Sequence, residues 1–305
     1  MFLRRILPRV AIYYTICCLA LGILLGEIAL HPQRVAVHDR SQAQATASRF
    51  KAALQDIAIT AGDGVQLKAW FIQPRDNNGI AVIVLHGVGD NRQGMLGFAE
   101  TFLSNGYSVL LPDSRAQGAS GGRLVTYGIQ EADDVRRWFE WLINAERPRC
   151  VFGMGESMGG AILLQALRVE PRFCAAVVES PFASFRAIAY DRAGQIFHAG
   201  PWLGQTVLRP AVEVGLLYGR IRYGIALTDA SPQRAVEEVR IPILLIHGLA
   251  DDNIPPRHSR LIREHNPSHT TLWEVPHAGH CGASMVAPEE FNRRVLQWFT
   301  SKKAG

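Results

Sequence analysis

The sequence predicts an α/β protein: a doubly wound, mostly parallel sheet with a helical cap insertion, preceded by one N-terminal transmembrane helix. Three observations predict it. Short apolar runs alternate with helix-period stretches over most of the chain, as parallel strands joined by helices do. A charge-free run of seventeen residues occupies positions 10–26. A Gly-x-Ser-x-Gly turn, Gly155-Glu-Ser157-Met-Gly159, stands between a strand-like run and an apolar helix, where a serine can be held exposed to a base.

With 305 residues, 48% hydrophobic and 19% charged, the chain can bury the core of one large or two small domains. The formal net charge is +5, and residues 1–30 carry three arginines against Glu27, which leaves +3 on the remainder. So small and scattered an excess does not indicate nucleic acid. Cys17, Cys18, Cys150, Cys174 and Cys281 show no metal or redox spacing, so neither a metal nor an organic cofactor is expected.

The apolar run at 10–26, extended after Glu27 by three more apolar residues, reaches about 25 Å as a helix. That length crosses a hydrocarbon core with its flanks at the interfaces. Arg4, Arg5 and Arg9 favour a cytoplasmic N-terminus and place the rest of the chain on the non-cytoplasmic side. The competing reading is a secretory signal, which would leave the protein secreted after cleavage. No Ala-x-Ala type site follows the run, and a retained signal-anchor is the expectation. Tyr13, Tyr14, Cys17 and Cys18 are read as packing residues of this helix. Residues 1–30 are thus the anchor, and 31–55, rich in Ala, Gln and Ser, a polar tether with a short helix at 43–54. Residues 56–301 form the catalytic domain.

Within that domain, 57–60 and 65–72 flank Gly62-Asp-Gly64 as a hairpin. Residues 80–85 are a continuous apolar run suited to a strand buried on both faces, ending in His86-Gly87-Val88-Gly89. A helix at 95–104, a strand at 107–111, the loop from Asp113 and a helix at 129–145 follow. The serine strand begins at Cys150, and its helix covers 161–167. Next come a strand at 174–178, a helical insertion over about 182–239, a strand at 243–246 and a helix at 256–265. A strand at 271–275 and a helix at 288–300 close the domain. The insertion carries Phe182, Phe185, Tyr190, Phe197, Trp202, Tyr218 and Tyr223, and is too long to lack structure of its own. In such a sheet the active site lies beyond the C-terminal ends of the strands.

Two late strand ends supply a carboxylate and an imidazole. One is Asp251, in His247-Gly-Leu-Ala-Asp251-Asp-Asn-Ile254-Pro255; the other is His280, in Ala278-Gly279-His280. Asp252 and His277 are their rivals. Together with the strand-end His86-Gly-x-Gly, Asp113-x-Arg115-x-x-Gly118-x-Ser120 and the Gly-x-Ser-x-Gly turn, these motifs resemble the α/β-hydrolase superfamily. The likeness runs over about residues 56–300 and is strongest to its serine aminopeptidase-like and monoacylglycerol-lipase-like branch.

The resemblance implies a triad in the order Ser157, Asp251, His280, with Ser157 as nucleophile, His280 as general base and Asp251 orienting it. It assigns the oxyanion hole to the backbone N–H groups of Met158 and Val88. Spacing to Ile254-Pro255 favours Asp251 over Asp252, and the Ala-Gly turn favours His280 over His277. The insertion resembles the cap that covers the active site in this superfamily. The activity implied is hydrolysis of a carboxylic ester, with a lipid-like acyl chain preferred because of the anchor and the apolar cap. A small-molecule acyl substrate and the membrane are the implied partners. Aminoacyl or peptide amide cleavage is the alternative, needing a carboxylate such as Asp191, Glu213 or Asp229 for the substrate ammonium; acyl transfer uses the same triad. A binding protein on a hydrolase scaffold is the non-enzyme alternative.

Blander roles are expected elsewhere. His86 and His247 are read as loop supports, Asp113 and Arg115 as an ion pair tying down a turn, and Glu156 and Glu179 as structural carboxylates. Cys281 is read as a small packing residue. Cys150 and Cys174 stand near the starts of two consecutive strands, within disulfide reach if these are neighbours. Two buried free thiols are the competing reading.

Overall fold

The computed structural model describes residues 2–302, and of residues 2–5 the backbone alone. The side chains of Arg4 and Arg5, which bear on orientation, therefore lie outside the described residues. The chain divides into two compact units: Gln33–Ala183 with Ser231–Gly305, and Met1–Pro32 with Ser184–Ala230.

The larger unit holds one eight-stranded sheet. Its strands are β1 (Ala52–Thr60), β2 (Gln66–Pro74), β3 (Ile80–Leu85), β4 (Ser108–Pro112), β5 (Cys150–Glu156), β6 (Ala175–Glu179), β7 (Ile243–Gly248) and β8 (Thr270–Val275), in the spatial order β1-β2-β4-β3-β5-β6-β7-β8. The β1–β2 hairpin is antiparallel and β2 runs antiparallel to β4; all other neighbours are parallel. Every residue of β3, β4, β6 and β7 is buried, as strands covered by helices on both faces require.

Helices α1 (Phe2–Leu30), α2 (Ser41–Arg49), α3 (Leu96–Leu103), α4 (Glu131–Glu146) and α5 (Ser157–Val169) come first in the chain. They are followed by α6 (Phe185–Ile196), α7 (Pro201–Gln205), α8 (Arg209–Tyr223), α9 (Pro232–Ala235), α10 (Arg257–His265), α11 (Ala283–Val286) and α12 (Pro288–Ser301). Alternate residues along the strands feed two cores. Trp70, Val82 and Phe152 join Phe102 of α3 and Phe299 of α12 on one face, where Phe152 and Phe299 stack at 4.2 Å. Phe71 and Ile83 join Trp138 and Phe139 of α4 and Leu163 of α5 on the other. Cys150 and Cys174, at the starts of neighbouring strands, are joined by a disulfide with their Cα atoms 6.0 Å apart.

The edges of the sheet unit differ from the sequence reading. Strand β1 begins at Ala52 rather than 57, and the preceding helix covers Ser41–Arg49 rather than 43–54. Ala43 and Ala47 of that helix are buried in the core, and the Asn91 side-chain amide donates to the carbonyls of Val35 and Ala36. The stretch expected as a tether is folded onto the sheet from Gln33 onward. At the insertion's far end, Asn266 donates to the carbonyls of Val236 and Val239, which ties 231–239 to the sheet unit and leaves Ser184–Ala230 as the insertion proper.

The smaller unit is helical: α1, α6, α7 and α8. Ser184 caps α6 by accepting from the Ala187 N–H, and Gly224, at φ 71°, ends α8 in the left-handed conformation. Helix α1 is long and apolar enough over Ile6–Leu30 to cross a membrane.

Candidate active site

The parallel strands β3 to β8 end along one edge of the sheet, so the residues following β3, β5, β7 and β8 meet there. Ser157 is the first residue after β5 and the first of α5, with φ at 51°. For a residue with a side chain that conformation is strained, and the surroundings must impose it. They do so by close approach: a Cβ on Gly159 would lie 2.4 Å from the Leu85 carbonyl oxygen, so α5 abuts the end of β3 through a position only glycine fits. The serine side chain is thereby presented at the strand-to-helix corner.

Asp251 sits on the loop after β7 and His280 on the loop after β8. His280 Nε2 lies 2.9 Å from Ser157 Oγ, and His280 Nδ1 lies 2.9 Å from Asp251 Oδ2. With Nδ1–H donating to the carboxylate, Nε2 is left to accept the serine proton. Asp251 is 3% exposed, and its other oxygen accepts from the N–H groups of Asn253 and Ile254. Burial alone would raise its pKa. Hydrogen bonds from His247, His280 and Ile254 outweigh burial and hold the carboxyl below its ordinary range. Asp252 and His277 are exposed and make no part of this chain of hydrogen bonds.

The loop after β3 lies against the serine: a Cβ on Gly87 would be 3.5 Å from the Ser157 Cβ. His86 fixes this loop. Its Nδ1 is 2.7 Å from the Gly87 carbonyl and its Nε2 accepts from Ser114 N–H, while burial depresses its pKa. Met158 stands in the first turn of α5, where a backbone N–H has no acceptor within its own helix. Val88, next to Gly87, contributes its N–H to none of the described backbone hydrogen bonds. His247 is held between Ser259 Oγ and the Ile254 carbonyl, with Nε2 3.3 Å from Asp251 Oδ2, and so braces the acid loop.

Glu156 and Glu179 end β5 and β6 in register. Glu179 is fully buried; one oxygen accepts from Ala283 N–H at 2.9 Å and the other has no partner. Burial pushes its pKa up to about 7. Burial, then the neighbouring Glu179, pushes Glu156 up to about 8. Through Ala283, and through Ser180 Oγ accepting from Cys281 N–H, the end of β6 pins the loop that carries His280. The sequence marks Glu179 as a structural carboxylate and Cys281 as a packing residue but not these contacts, because the bonds are made to backbone more than a hundred residues away. Cys281 is a half-buried thiol whose pKa is raised by desolvation and by the nearby carboxylates.

The expected Asp113–Arg115 pair does not form. Asp113 accepts from the N–H groups of Arg92 and Ala119, with the Arg92 guanidinium 3.6 Å away. Arg115 turns the other way and grips Asp134 through two bonds of 2.7 Å, with Asp63 at 2.8 Å. The bidentate grip on Asp134 of α4 holds the Arg115 guanidinium away from Asp113, whose oxygens are already taken by the N–H groups of Arg92 and Ala119. Among the described residues, no group of three or more His, Cys, Asp or Glu is placed to hold a metal ion.

Comparison with known proteins agrees with this architecture. The model of the alpha/beta hydrolase family matches residues 82–294. The protein YqkD of Bacillus subtilis is 27% identical over 244 residues, covering 79% of this chain and 77% of its own. The thermostable monoacylglycerol lipase of Bacillus sp. (strain H-257) is 28% identical over 202 residues, covering 61% of this chain and 76% of the lipase. The Pyrococcus furiosus esterase Pf2001 superposes with a TM-score of 0.71 at 25% identity, over 90% of this chain and 98% of the esterase. With the eight-stranded sheet, the strand-end serine and a family match over well more than half its length, the chain belongs to the alpha/beta hydrolase family.

Proposed function

We propose that this chain is a membrane-anchored serine hydrolase that cleaves a carboxylic ester through an acyl-enzyme. The observation that carries the reading is the unbroken run of hydrogen bonds Ser157 Oγ, His280 Nε2, His280 Nδ1, Asp251 Oδ2, each 2.9 Å, across three separate strand ends. In this reading Ser157 Oγ bonds to the acyl carbon as its proton passes to His280 Nε2, and the carbonyl oxygen becomes an oxyanion facing the N–H groups of Met158 and Val88. The C–O bond to the leaving alcohol then breaks, and His280 Nε2–H protonates the departing oxygen. Water repeats the sequence on the acyl-enzyme and regenerates Ser157. Asp251, held ionised by its hydrogen bonds, stabilises the imidazolium formed in each half.

Ester cleavage is preferred over aminoacyl amide cleavage because two candidate carboxylates for a substrate ammonium are already engaged. Glu213 accepts from the Tyr190 hydroxyl and faces Arg186, and Asp191 is fully buried. The esterase and monoacylglycerol lipase relatives support the same choice. Helix α1 supports a membrane anchor, and Arg9, in its N-terminal part just before the charge-free run, supports an N-terminus in the cytoplasm with the catalytic domain outside. A panel of nitrophenyl esters from acetate to laurate tests the substrate class. Turnover that rises with chain length and is lost in Ser157→Ala is expected. Turnover of aminoacyl nitroanilides in preference to every ester would overturn it.

A further inference from the structure

Helix α1 does not stand alone in its unit. The Tyr14 hydroxyl donates to the Val207 carbonyl, Glu27 accepts from the hydroxyls of Tyr218 and Tyr223, and the rings of His31 and Tyr223 meet edge-on at 5.5 Å. These partners ascend together along both chains, so α1 and α8 run parallel. Between them the backbones approach through glycines. A Cβ on Gly22 would lie 2.5 Å from the Ala211 carbonyl oxygen, and one on Gly26 2.9 Å from that of Gly215. A seam of small residues four apart is how helices associate in lipid, where no hydrophobic force drives them together.

This pairing limits what α1 can do by itself. From Tyr14 to His31 it has the insertion alongside, Val207 at Tyr14 and α8 itself from Gly22 onward, which leaves only residues 6–13 of the apolar stretch unaccompanied. Eight residues reach about 12 Å, less than half of the ~30 Å hydrocarbon core. If α1 enters a bilayer as folded, α8 enters with it.

The surface of the unit is suited to that. Leu217 and Ile221 stand one turn apart on α8 and are 55% and 76% exposed, while Val214 turns inward onto Gly22. At the Tyr14 end, Ile196, Phe197, Trp202 and Val207 are all exposed. At the opposite end lie Glu27, His31, Arg220 and Arg222. The unit is therefore apolar at the end where α1 arrives and polar where it departs, as a body entering one leaflet must be. Arg192, His198 and Arg209 are ionisable groups at this same apolar end, and burying them there is a cost that the surrounding apolar surface must offset.

We propose that the insertion is itself a lipid-binding element: α6, α7 and α8 enter the outer part of the leaflet with α1 as one body, with residues 196–207 among the acyl chains. The proposal rests on reading α1 as a membrane helix, and one experiment separates the two. Full-length protein is reconstituted into vesicles of phosphatidylcholine and phosphatidylglycerol, with and without bromine on the upper acyl chain. Trp202 is the only one of the six tryptophans in the helical unit, so the difference between parent and Trp202→Phe isolates its emission. The expected result is that the protein floats with the vesicles and that bromine cuts the Trp202 component roughly twofold or more. Flotation with Trp202 unquenched would overturn the proposal and leave the anchor intact. Failure to float would overturn both.

Discussion

Asp251 and Asp252 are adjacent in sequence and opposite in environment. One is buried beneath His280 with both oxygens occupied; the other faces solvent. Asp251→Asn should lower kcat/KM by about 10⁴-fold, because an amide no longer fixes the productive imidazole tautomer, while Asp252→Asn should change it less than about threefold. A reversed ranking would assign the acid wrongly. Glu179 makes a different prediction. Its carboxyl rises from an ordinary 4.5 to about 7 in the fold, so the native state binds the proton more tightly than the unfolded chain does. The Glu179 contribution to stability should therefore fall by about 3 kcal/mol as pH rises from about 4.5 to about 7, with Glu156 adding a loss of the same sign up to about 8. Glu179→Gln keeps an acceptor for Ala283 N–H and should remove the Glu179 share of that slope, gaining on the parent between pH 5 and pH 8 in urea unfolding. Equal slopes for parent and variant would contradict the assignment. At this scale the meeting of Ser157, Asp251 and His280 was legible because each lies in a short motif at a strand end. The partners of Asp113 and Arg115 were not, since Arg92, Asp63 and Asp134 reach them from other segments of the chain.

The central strands were legible for a simple reason: a strand covered on both faces is continuously apolar, and β3 and β7 announce themselves by that alone. Strand β1 was read five residues short because it is an edge strand, half exposed along its length, whose first residues alternate too weakly to stand out from a polar loop. The helical unit was hidden in another way. Gly22 and Gly26 are visible in the sequence, but the glycine that packs on them is Gly215, and only the fold brings it there. Helix α5 carries the sharpest constraint at this scale. Gly159→Val would force a side chain onto the Leu85 carbonyl, and shifting α5 moves Ser157 with it. We expect a loss of about 2 kcal/mol or more in stability and a larger proportional loss of the proposed ester turnover, read by urea unfolding and nitrophenyl ester hydrolysis on the same preparation. A variant as stable and active as the parent would mean that α5 is free to move away from β3.

At the scale of the whole molecule, the chain separates a sheet unit that holds every candidate catalytic group from a helical unit built of the first thirty residues and the insertion. The alternation of strand and helix, and the order of Ser157, Asp251 and His280, were enough to reach the sheet unit from sequence. The sharing of one unit by two segments nearly two hundred residues apart was not, because local pattern carries no information about which distant helices pair. The central claim is that Ser157 is an activated nucleophile, and the direct measurement is reaction of the full-length protein with a fluorophosphonate, followed by peptide mapping of the adduct. One adduct is expected, on the peptide containing Ser157, absent in Ser157→Ala and retained in Asp252→Asn. A folded parent that takes up no label, or takes it up at another serine, would contradict it.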